Sequence, residues 1–146
     1  MNFDDLIARG LISTLDAWNE GAVSKIGLED LSSLSGGSGL FLSYASLFSP
    51  KLTEVGGGHF LSFRFDEGIY LEWIGSGRAI SDVELVMNHV HMTYFAQGED
   101  VSIDVLDKMA EVLFHFWSLG LPAGVSPVIL GKGTVDVSVT FFTSLS

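Results

Sequence analysis

The chain of 146 residues contains no cysteine. Disulfides, thiolate metal sites and cysteine nucleophiles are thereby excluded. Basic residues are scarce: seven Lys and Arg stand against eighteen Asp and Glu, a formal net charge of −11. Binding to nucleic acid or to an anionic membrane surface needs a basic patch, so neither is expected. Charged residues of either sign make up only 17% of the chain, below the usual share of about 25%. A chain so poor in charge is expected to keep apolar surface for a partner, a second copy of itself included. A cytoplasmic location fits the lack of cysteine, and Met1-Asn2-Phe3-Asp4-Asp5 carries acid where a signal peptide has a positive start. Two long stretches lack charge, Leu31–Pro50 and Val112–Gly131 with His115 neutral. The first is half Ser and Gly, and the second holds Gly120, Pro122, Gly124 and Pro127, so neither reads as a transmembrane helix.

What is present is apolar: 47% hydrophobic residues and 12% aromatic, ample for a packed core. The length suits one domain, 1–146. Phe3, Leu6, Ile7, Leu11, Leu15 and Trp18 recur at helical spacing and predict a helix over 3–19. Residues 31–58 are rich in Ser and Gly and read as loops, interrupted by Leu40-Phe41-Leu42-Ser43-Tyr44, which fits a short strand or a short helix. Alternation in 59–65 and again in 69–74, around Asp66-Glu67-Gly68, predicts an antiparallel hairpin over 61–73. Ser81-Asp82-Val83-Glu84 fits a capping box opening a helix over about 82–95. Leu85 and Met92 fall on that helix's far side and, with Ile12 on the first helix, are candidates for an apolar contact with a partner or a second copy. A third helix over about 102–118 buries Val105, Leu106, Met109, Leu113, Phe116 and Trp117. A second hairpin turns at Gly131-Lys132-Gly133, with Val135, Val137, Val139 and Phe141 as one face of a half-buried strand. The expected class is α+β: an antiparallel sheet built from two hairpins, packed by an N-terminal helix and two central helices.

Candidate chemistry is sparse. No nucleophile elbow, phosphate loop or zinc motif is present. In Asn88-His89-Val90-His91 the two histidines would share a face on a strand and could hold a metal, whereas on a helix they lie about 160° apart. The helical periodicity places them on a helix, so no metal, cofactor or enzymatic activity is expected. Glu67 and Glu72 read as solvated acids beside a turn. If Asp100 joins the third helix, Asp100, Asp104, Asp107 and Glu111 fall within about 60° of one another, opposite the buried face. Like charges at that spacing cost about 0.2–0.5 kcal/mol per pair. Such a stripe suits recognition of a basic partner, and it equally suits a solvated face with Asp100 and Asp104 at the helix N-terminus.

Phe48-Ser49-Pro50, Glu54-Val55, Phe60, Glu67, Tyr70-Leu71-Glu72-Trp73, Asn88-His89-Val90-His91, Phe95 and Trp117 together resemble a group of small bacterial proteins associated with toxin immunity. The resemblance covers 48–117, and Lys51 departs from it where an acid is expected. It implies an inhibitor of a toxin or other basic protein, with Asn88, His89 and His91 matching the motif. The alternative is a dimeric adaptor that resembles type III secretion chaperones and binds an effector segment on apolar patches.

Overall fold

The computed structural model describes residues 38–96 and 100–144. The chain divides into two compact units, Met1–Ala45 and Ser46–Ser146. The helix expected over 3–19, with Ile12, lies outside the described residues. The described elements are α1 (Ser38–Phe48), β1 (Leu52–Val55), β2 (Gly58–Leu61), α2 (Glu67–Gly75), α3 (Ile80–Met87), β3 (Val90–His91), a 3-10 turn (Met92–Phe95), α4 (Ile103–Gly120), β4 (Val125–Leu130) and β5 (Ser138–Thr143). The fold is α+β with two antiparallel sheets, β1-β2 and β3-β5-β4.

The first hairpin lies earlier in the chain than its alternation suggested. Val55 pairs with Gly58, leaving Gly56 and Gly57 as a two-residue loop. Both have positive φ, 61° and 84°, as the mirror-image hairpin turns that follow strand twist require. The three glycines that read as loop are therefore the turn and its exit. The hairpin expected over 61–73 does not form. Asp66, taken as a turn residue, is a helix N-cap whose carboxylate accepts the Ile69 N–H at 2.9 Å. Behind that cap Tyr70, Trp73 and Ile74, at helical spacing, pack on Phe60 and Val83 in a small second core. The alternation of 69–74 is a coincidence of aromatic and aliphatic residues that fits both periods.

α3 is shorter than expected and ends at Asn88. Ala79, not Ser81, is its N-cap, and Glu84 points inward instead of back to the helix start. α4 follows the sequence pattern closely. The Ser102 hydroxyl accepts the Val105 N–H, and Leu106, Ala110, Leu113 and Trp117 are buried. Trp117 meets Phe141 edge-on at 5.3 Å and donates its indole N–H to the Leu47 carbonyl at 2.9 Å.

The second hairpin joins β4 to β5 through 131–137. β5 is the central strand, so Ser138 and Thr140 are as buried as Val139 and Phe141, and the half-buried alternation is overturned. Each buried hydroxyl has a partner: Thr140 donates to the Leu85 carbonyl at 2.8 Å, and Ser138 meets His89. Pro127 sits on the edge strand β4, where its missing N–H costs no ladder bond. The main core gathers Leu61, Met92, Leu106, Leu113, Trp117, Val137, Val139 and Phe141. Met92, expected on a far helix face, is 1% exposed within it. The reason is that the chain has left the helix by that point.

Candidate functional site

Asn88-His89-Val90-His91 is a corner where α3 hands over to β3, and its residues alternate. Asn88 and Val90 are buried, while His89 and His91 are only partly covered. Extended chain turns successive side chains to opposite sides, which gives the tetrapeptide two separate roles.

The inner role is to join two sheets that share no ladder. β2 and β5 belong to different sheets. The Asn88 carboxamide accepts the Leu61 N–H at 2.9 Å and donates to the carbonyls of His59 at 2.8 Å and Phe141 at 3.3 Å. One helical turn earlier, the Glu84 carboxylate accepts the His59 N–H at 2.7 Å and both the N–H and hydroxyl of Thr143, at 2.9 and 2.6 Å. The two side chains thus satisfy alternate backbone groups of β2 and β5, as a neighbouring strand would. The Thr143 hydroxyl gives its proton to Glu84, so its contact with His59 Nδ1 at 3.1 Å assigns a proton to that nitrogen. Glu84 and Asn88 are fully buried, and among the described residues no buried side-chain polar atom lacks a partner. The three bonds to Glu84 offset the cost of desolvating it.

The outer role involves the histidines, and here the helical expectation is corrected. His89 and His91 share a face, their rings stacked at 4.7 Å and 25°. His89 Nε2 lies 2.6 Å from Ser138 Oγ, Tyr94 meets His91 edge-on at 5.7 Å, and Arg64 Nη1 donates to the His89 carbonyl. Burial, then the positive fields of His91 and Arg64, push the His89 pKa below its ordinary value. A hydroxyl that close to an imidazole has the spacing of a nucleophile and its base. However, Ser138 is 1% exposed, so no substrate carbonyl reaches it, and among the described residues no carboxylate contributes to the shift of His89. Among the described residues no three His, Asp or Glu converge on a point that could hold a metal ion.

The acidic stripe of α4 divides. The Asp107 carboxylate accepts the Gly133 N–H at 3.0 and 3.1 Å. Glu111 accepts Lys108 at 2.5 Å and Lys132 at 2.7 Å, and those bonds hold its carboxyl below the usual range. Two of the four acids therefore anchor the β4–β5 loop, whose Gly131 and Gly133 have positive φ of 66° and 82°. The sequence pattern suited either a partner or a solvated face, and neither by itself describes these two acids. Asp100 and Asp104 face solvent. Of the two apolar candidates, Leu85 is half-buried and Met92 is inside the core.

Glu84, His59, Thr143, Arg64 and Ser138 were not singled out by sequence. One signal was available: Glu84 and Asn88, four apart, lie on the face of α3 that also buries Val83. No protein family, characterised protein or solved structure matches the chain. Among the described residues no helix is long and apolar enough to cross a membrane.

Proposed function

We propose that the protein works in the cytoplasm by binding a basic protein partner, as an immunity-type inhibitor of a toxin does, and that it catalyses no reaction. The observation that carries this reading is the distribution of charge. Glu54, Asp66, Glu67, Glu72, Asp82, Asp100, Asp104 and Asp136 are all exposed. Of the described cations Lys51 is exposed, and the other four are turned on the chain itself. Lys108 and Lys132 go to Glu111, Arg78 lies 5.1 Å above the Trp73 ring, and Arg64 holds a carbonyl. The outward field is therefore negative, which speeds encounter with a cationic surface and repels nucleic acid. Carboxylates that stand in for phosphates would also mask the active site of a nuclease-type toxin.

The adaptor reading loses support, because Met92 is unavailable to a partner and Leu85 only half available. The test is to express the product of the gene adjacent to this one with and without the chain. An immunity role predicts that the neighbour alone arrests growth and that co-expression restores it through a complex that dissociates as salt is raised. A harmless neighbour, or toxicity that the chain does not relieve, would overturn the reading.

A further inference from the structure

The edge of β5 that faces away from β4 is closed in two ways. Toward Phe141 and Thr143 it is closed by the side chains of Asn88 and Glu84. Toward Val137 and Val139 it is closed by the backbone of β3 and of Met92, whose N–H bonds the Val137 carbonyl at 3.1 Å. That second closure rests on very little: a strand of two residues, Val90 and His91, with the His91 ring stacked on that of His89 just before it.

We propose that the His89–His91 stack is an acid-sensitive clasp, which holds β3 against β5 while both rings are neutral and releases that edge when they become charged. The groups that face the pair come from three other elements. Arg64 follows β2, Tyr94 lies in the 3-10 turn, and Ser138 is on β5. Of these only Arg64 carries charge, and its charge is positive. Protonation therefore puts two cations 4.7 Å apart beside a third, with nothing negative among the described groups in contact to balance them. The Ser138 bond does not oppose protonation, because a charged imidazole still donates from Nε2. The stack does not survive. Release frees the β5 edge at Val137 and Val139, backbone of the kind that accepts an added strand. The depressed pKa of His89 has the sign this needs: the closed form disfavours the proton.

Hydrogen exchange of the full chain, read residue by residue by NMR, tests the clasp. Protection factors are corrected for the intrinsic pH dependence of exchange. The Met92 amide should lose protection severalfold between pH 7.5 and pH 5.0, since a proton that the closed form disfavours shifts the balance to the open form. The Ser62 amide, bonded to the Lys51 carbonyl in the other sheet, serves as the control and should hold. In the double variant His89→Gln, His91→Gln the Met92 amide should become insensitive to pH. Should that variant not fold, the wild-type resonances still decide: the Cε1 proton of His89 and the Met92 amide should titrate with one midpoint. Constant Met92 protection, an equal loss at Ser62, an equal loss in the folded double variant, or separate midpoints would overturn the proposal.

Discussion

Replacing Asn88 by Leu tests the claim that one side chain stands in for a strand. The two side chains share a heavy-atom skeleton, so no cavity arises, and the crowding of methyls where polar atoms sat adds to the loss. What changes is the polar satisfaction of the backbone. The Leu61 N–H and the His59 carbonyl lose partners at 2.9 and 2.8 Å. The Phe141 carbonyl loses a weaker one at 3.3 Å. A buried backbone group left unpaired costs about 1–3 kcal/mol. The two strong losses then cost about 2–6 kcal/mol, and the added apolar burial returns about 1 kcal/mol. A net loss of about 3 kcal/mol is a large share of the 5–15 kcal/mol that usually holds a domain. At about 3–4 °C per kcal/mol for a chain of this size, the melting temperature should fall by roughly 10 °C. Urea denaturation followed by Trp fluorescence gives the free energy, and exchange at the Leu61 amide localises it. If Asn88→Leu stays within about 1 kcal/mol of wild type, with Leu61 still protected, the carboxamide does not join the sheets and the argument is wrong.

Two further substitutions probe other joints. Gly56→Ala should destabilise by more than the usual cost of about 1–2 kcal/mol for holding a non-glycine residue in the left-handed region, because its Cβ would also lie 2.3 Å from the Tyr70 hydroxyl; thermal melts measure it, and a neutral result would refute the hairpin turn. Glu111→Gln should lower the melting temperature at pH 7, through loss of the Lys108 and Lys132 contacts, rather than raise it by relieving like charges. The Glu111 pKa is depressed by folding, so its contribution is present above its unfolded pKa of about 4.3 and is lost as pH falls through the folded value. Melts of the two proteins should therefore converge as pH falls, and a difference that stays constant from pH 7 into acid would contradict the assignment.

The sequence by itself determined α4, because that helix has a serine cap, an apolar stripe maintained to Trp117 and a clean stop near Gly120 and Pro122. It determined the second hairpin and the α+β class for the same reason: each rests on local periodicity and turn chemistry. It also determined the excess of acid, which no fold can alter. Tertiary structure decided the rest. The segment 69–74 satisfies both a two-residue and a helical period, and the choice fell to the Asp66 cap and to contact with Phe60 and Val83. The end of α3 was invisible locally, because Val90 and Tyr94 continue the helical stripe of Val83, Val86 and Met87. Yet Asn88 is needed between β2 and β5, and the chain beyond it is needed at the open edge of β5. The acidic stripe was legible as a stripe, but its use depended on where Lys132 and Gly133 return from β4, twenty residues and more along the chain. Hydrogen bonds between residues that far apart leave no period in the sequence, so the joined sheets and the stacked histidines appear only once the chain has folded.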